Sequence, residues 1–131
     1  MGQQQLLLIV LGVIIVGIAV VVGINLFNAN AETSTQDSIV SQGTSLGAMA
    51  QQYYKKPVAM GGGGNSFVDF ENNVWPNLPL NLKSSHDADW AAPTTSATNC
   101  VIVATPKETA YDWTVTTTVT KDSINTTVSA N

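Results

Sequence analysis

A chain of 131 residues has room for one domain and an appendage, and here it carries a formal net charge of -4. Nine acidic residues stand against five lysines with no arginine, and only 11% of residues are charged, which excludes a nucleic-acid reader built on phosphate contacts. Cys100 is the single cysteine, so an intrachain disulfide, a redox pair and a multi-cysteine metal site are excluded, and a buried strand position is its expected place.

Hydrophobic residues reach 44% but are spread unevenly: the start is nearly all aliphatic, and the remainder is rich in Ser, Thr, Asn and Gly. From Leu6 to Phe27 the only interruptions are Asn25 and the small residues Gly12, Gly17 and Gly23. As a helix these 22 residues span roughly 33 Å, the depth of a bilayer core. No ionisable side chain precedes Glu32, so the segment requires lipid or a bundle of like helices around it. A secretory signal peptide has a basic start and a shorter apolar run, neither of which is present, although Ala29 and Ala31 leave an A-x-A-like cleavage as the alternative to a permanent helix. The first lysine is Lys55, outside the window in which basic residues set topology.

The opening Met1-Gly2-Gln3-Gln4-Gln5-Leu6-Leu7-Leu8-Ile9-Val10 resembles type IV pilin-like proteins of the pilin and pseudopilin superfamily, with a class III leader: a short leader ending in Gly, a polar or aromatic residue, then an uninterrupted aliphatic helix. The resemblance implies cleavage between Gly2 and Gln3 by a prepilin peptidase, residence in the cytoplasmic or inner membrane before assembly, and handling by the pilus assembly machinery. It further implies a helical homopolymer, held outside the cell by contacts among copies of Leu6, Leu7, Ile9 and Val10, then Val13, Ile14 and Gly17, then Val20, Val21, Ile24 and Phe27. Leu7 stands at the fifth mature position, where bacterial pilins commonly carry a glutamate that meets a neighbour's terminal amine. Gln3, Gln4 and Gln5 offer amides that satisfy such a terminus, or one another, at lower desolvation cost than a carboxylate.

No proline occurs between Asn28 and Lys56, and Ile39, Leu46, Met49, Ala50 and Tyr53 recur at helical spacing, so the helix is expected to continue to Pro57 as an amphipathic rod. Ile39, Leu46, Met49 and Tyr53 are the expected contacts with the head, and Gly43 and Gly47 read as weak points that packing must offset. By resemblance, Gly17 or Gly23 marks where the pilin helix melts during assembly.

The four glycines from Gly61 to Gly64 read as a flexible reversal into a first strand, Ser66 to Phe70, and the P-loop pattern is missing because Asn65-Ser66-Phe67 follows. A loop-rich stretch from Glu71 to Thr98 follows, with Trp75 and Trp90 as expected covers of the core and a short strand near Leu78 to Leu82. Cys100 to Ala104, ending at Pro106, reads as a central strand. Trp113, Val115 and Val119, a turn at Lys121-Asp122-Ser123, and Ile124, Thr126 and Val128 read as a terminal hairpin. The fold class is therefore α+β, a long N-terminal helix packed on a small antiparallel sheet, divided into 1–31 apolar helix, 32–56 amphipathic continuation and 57–131 β-rich head.

His86, Asp87 and Asp89 form the one metal-like cluster, and without a patterned ligand series a solvated loop is its expected role. Asp69, Glu71, Glu108 and Asp112 are not spaced as a catalytic pair, no nucleophile elbow surrounds any serine, and neither an enzyme nor a cofactor is expected. Asn125-Thr126-Thr127 matches a glycan acceptor triplet inside an expected strand. The expected function is a structural subunit of an extracellular filament serving adhesion or motility, with copies of itself as partners. A secretion-system pseudopilin and a single-pass membrane-anchored binding protein remain the alternatives.

Overall fold

With no proline before Pro57, nothing in the backbone chemistry interrupts helical hydrogen bonding over the first part of the chain, and the computed structural model, which describes residues 2–130, contains one helix there, α1, Gly2–Lys55, of 54 residues. The chain divides into two compact units, the first ending at Ser34 and the second beginning at Thr35. The second unit takes in the Thr35–Lys55 part of α1 together with everything after it, so the head owns its backing helix.

Five antiparallel strands follow, β1 (Ala88–Trp90), β2 (Thr94–Thr95), β3 (Asn99–Pro106), β4 (Trp113–Thr120) and β5 (Ile124–Ala130), in the order β1-β3-β4-β5, with β2 also paired to β3. β3 and β4 are interior and pair from Asn99↔Thr120 to Ala104↔Val115, and β4 pairs with β5 from Trp113↔Ala130 to Val119↔Ile124. The expected central strand and terminal hairpin are therefore present, joined by Lys121, Asp122 and Ser123.

Period-two alternation sorts the side chains. Cys100, Ile102 and Ala104 of β3 and Trp113, Val115, Thr117 and Val119 of β4 are buried toward α1. Thr117 is the one buried polar residue of the described core, and its hydroxyl meets that of Thr126 at 3.3 Å, which offsets the desolvation. On the opposite face β4 and β5 carry Thr114, Thr116, Thr118, Asn125, Thr127 and Ser129, hydroxyls and an amide without a charge among them, beside Val101 and Val103 of β3 and Asp89 of β1.

The face of α1 turned to this sheet is Ile39, Gly43, Leu46, Gly47, Ala50 and Tyr53, at helical spacing. Ile39 and Leu46 are fully buried, Tyr53 nearly so, and Met49 is half-buried against the same cluster. Gly43 and Gly47 have a function that helix propensity alone does not suggest. A Cβ on Gly43 would lie 2.4 Å from Thr117 Oγ1 and 2.8 Å from the Trp90 ring, and one on Gly47 would lie 2.7 Å from Ile124 Cγ2. Missing side chains let the helix backbone settle onto the sheet.

Pro57 stops the helix, and the glycine run then caps it. The amides of Gly63, Asn65 and Gly64 donate to the carbonyls of Tyr53, Tyr54 and Lys56 at 2.8, 2.7 and 2.9 Å, satisfying acceptors that a helix end leaves open. Gly61 and Gly64 take φ of 85° and 59°, which favour glycine, so the run is a defined cap in place of the expected flexible reversal.

Two expected strands are helical turns. Ser66 to Phe70 is not extended: Asp69 turns with φ of 69° and α2 covers Phe70–Asn73, because Phe67 and Phe70, three residues apart, both enter the core and only a turn puts them on one side. Leu78 to Leu82 likewise gives a helical turn, α3, Leu80–Lys83, opened by Pro79; Leu78 and Leu82, four apart, pack on the core together. Trp75 and Trp90 are buried, as expected of core covers.

Replacing Gly43 with valine should therefore destabilise the head by about 1–3 kcal/mol through overpacking, lowering its Tm by roughly 5–20 °C. Circular dichroism melts of the full chain check this, with Gly17→Ala, which meets nothing within 4 Å, leaving the head's Tm unchanged.

Candidate functional site: the apolar helix surface

Residues in α1 before Asn28 form a helix by apolar content and local hydrogen bonding, yet none finds a core. Every large apolar side chain from Leu6 to Phe27 is exposed, from 49% at Val22 to 73% at Phe27. The residues expected at helix-helix contacts are all on this surface: Leu6, Leu7, Ile9, Val10, Val13, Ile14, Val20, Val21, Ile24 and Phe27 are each more than half exposed. Gly17, like Gly12 and Gly23, has nothing within 4 Å of where a Cβ would be. The helix is long and apolar enough to cross a membrane, and none of that span is buried. Of the expected cleavage site, Gly2 and Gln3 begin α1, and Met1 lies outside the described residues.

Cylindrical apolarity has chemical content. An amphipathic helix shows one greasy stripe, whereas Leu6 to Phe27 is greasy all round, which suits lipid or a fully surrounded position in a bundle. Small residues at Gly12, Gly17 and Gly23 permit close approach by another helix where lipid supplies no hydrophobic drive.

Among the described residues no three His, Cys, Asp or Glu side chains converge as a metal set. The His86 loop instead fastens the head: Ser38 donates to Asp87 Oδ2 at 2.7 Å, Ser84 donates to Asp89, and Lys107 Nζ stands 3.6 Å from Asp89. A cleft of about 400 Å³ beside it is lined by Thr35, His86, Asp87, Lys107, Glu108 and Tyr111. Of the other carboxylates, Glu71 accepts a hydrogen bond from Thr95, and Asp69 accepts one from Asn72. No buried side-chain polar atom lacks a partner among the described residues. The head is thus internally satisfied, whereas the apolar helix is not.

Sequence reasoning missed Gly43 and Gly47 as packing residues. The signal was there, since they fall on the same face as Ile39, Leu46 and Ala50, but a glycine reads first as a helix defect. Cys100 is fully buried, as its type suggests, and burial, with Glu71 nearby, pushes its thiol up to about 12.

No protein family, no curated protein and no solved structure matches this chain.

Cys100 should resist alkylation in the folded chain at pH 8 and react fully in guanidinium, read as mass added by iodoacetamide. Because the folded thiol ionises near about 12 and the unfolded one near 9.0, its contribution to head stability is present below pH 9 and is lost as pH rises toward 12. A Cys100→Ala head should show a shallower loss of Tm across that range.

Proposed function

We propose that this chain is the structural subunit of a type IV pilus-like extracellular filament, polymerising through its N-terminal helices while the β-rich heads meet the surroundings for adhesion or motility. One observation carries the proposal: an apolar helical surface of 22 residues is exposed all round, next in sequence to a head that has its own core and, among the described residues, no buried side-chain polar atom without a partner. Like helices supply the missing environment by symmetric burial, at about 25 cal/mol for each Å² removed from solvent. The Gly2-Gln3 junction supports the same reading through its resemblance to prepilin processing sites. Lipid holds the helix before assembly, and the peptidase and assembly machinery act there.

Gly12, Gly17 and Gly23 are the points of closest helix approach in this arrangement, and the glutamines at 3, 4 and 5 satisfy the amino terminus of a neighbouring copy where Leu7 does not.

Replacing Ile15 or Val20 with aspartate buries an unpaired carboxylate in every subunit, at several kcal/mol each. Filaments should vanish from sheared cell-surface fractions while the head keeps its Tm, because both positions are more than half exposed in the single chain. Normal filaments from either variant would overturn the core assignment. Mass spectrometry of the surface chain should find it lacking Met1 and Gly2; a soluble chain lacking everything through Ala31 would show a cleaved signal peptide instead.

A further inference from the structure

β5 is the last strand on its side of the sheet, so one edge of its backbone is unpaired. Its sequence, Ile124-Asn125-Thr126-Thr127-Val128-Ser129-Ala130, has no charge, no proline and no glycine, the features that normally guard such an edge. The other side of the sheet is guarded: β1 and β2 have three and two residues, Pro93 lies between them, and Asp89 and Lys107 place opposite charges there.

The hydrogen-bond alternation of β4 and β5 fixes which groups point outward. Thr120 N–H donates to the Ser123 carbonyl at 2.8 Å, making that a bonded pair. Stepping along the register, Val119↔Ile124, Thr117↔Thr126 and Val115↔Val128 are then non-bonded pairs, so the N–H and C=O groups of Ile124, Thr126 and Val128 face the free edge.

We propose that this edge is a pairing site for the same strand of a second copy of the chain, antiparallel, about a two-fold axis at Thr126. That register sets Ile124 opposite Val128 of the second copy, twice, and Thr126 opposite itself. It aligns the outward N–H and C=O groups of one strand with the same set on the other. It also supplies an apolar neighbour for Val128, which lies on the helix-facing side yet is 42% exposed. A shift of one residue pair would set Val128 against Thr126 and Ile124 against Ala130, a poorer match. The second copy is favoured over a foreign strand because the segment is self-complementary and uncharged, so two chains of net charge -4 meet without like charges on the facing strands.

The flank of α1 above this edge is compatible with a neighbour. Gln42 bonds Ser85 and Trp90 toward β1, which leaves Val40, Thr44 and Gln51 on the β5 side, none charged. Burial by one strand pair falls short of the ~1,200 Å² of a stable complex, so each contact is weak and gains strength when many heads are arrayed together. The inference stands apart from the filament reading. In filaments the two-fold contact joins one filament to another; a two-fold normal to the sheet reverses the direction of the Thr35–Lys55 helix lying on it, so it is not a contact between chains anchored side by side in one membrane.

The test uses full-length Asn125→Cys and Thr127→Cys chains, mixed in dodecyl maltoside micelles and mildly oxidised, with disulfides identified by peptide mass spectrometry. In the proposed register position 125 stands opposite position 127 of the second copy, within the roughly 4.4–6.8 Å Cα range of a disulfide. Like positions are diagonal, at roughly 7–8 Å. The mixed 125–127 disulfide should exceed either like disulfide about tenfold. Adding Val128→Lys, at an exposed position, should abolish that excess while the head's Tm is kept. Equal yields of the three disulfides, absence of any, or an excess unchanged by Val128→Lys would overturn the proposal.

Discussion

Water excludes a cylinder of aliphatic side chains, and that exclusion governs how the chain is put together. Residues 6–27 have no charge to hold them in solvent and no polar face to turn toward it. The head meets its own needs within Thr35 onward, where α1 contributes one face to the sheet and the rest of the chain closes around it. Two materials thus share one continuous helix, the first half suited to an apolar surround and the second to a β-sheet.

The junction between helix and sheet depends on absent atoms as much as present ones. Gly43 and Gly47 bring the helix backbone against Thr117, Trp90 and Ile124, and Ile39, Leu46, Ala50 and Tyr53 fill the space on either side. Helix propensity is surrendered, by about 1 kcal/mol per glycine, in exchange for closer helix-sheet contact. The hydroxyl pair of Thr117 and Thr126 lies beneath that approach, so the close contact of helix and sheet is also where the one buried polar residue among the described residues is satisfied.

Much of this was legible in the sequence because strong periodicity survives folding. The proline-free run through Lys56, the alternation at Trp113, Val115 and Val119, and the compact run at Cys100 each produced the expected element. Short segments were harder. Phe67 and Phe70, and Leu78 and Leu82, were apolar pairs with too little sequence between turn residues to show a period, and spacing by three or four decided for a turn where β propensity argued for a strand. The glycine run was recognisable as a reversal, but its role as cap depended on carbonyls at Tyr53, Tyr54 and Lys56, which no local pattern announces. Charge placement at the His86 loop was likewise visible as a cluster and only the partners Ser38, Ser84 and Lys107 gave it a role.

The solvent side of the sheet has a further implication. Thr114, Thr116, Thr118, Asn125, Thr127 and Ser129 are groups whose interaction with water involves no ionisation in the ordinary range. Screening by dissolved ions weakens charged surfaces within a Debye length, but a hydroxylated lattice has little such interaction to lose. The β4–β5 part of that face therefore keeps much the same hydration in brine and fresh water, and in acid as in neutral surroundings, whereas Asp89 and Lys107 at the β1 end of the sheet respond to both.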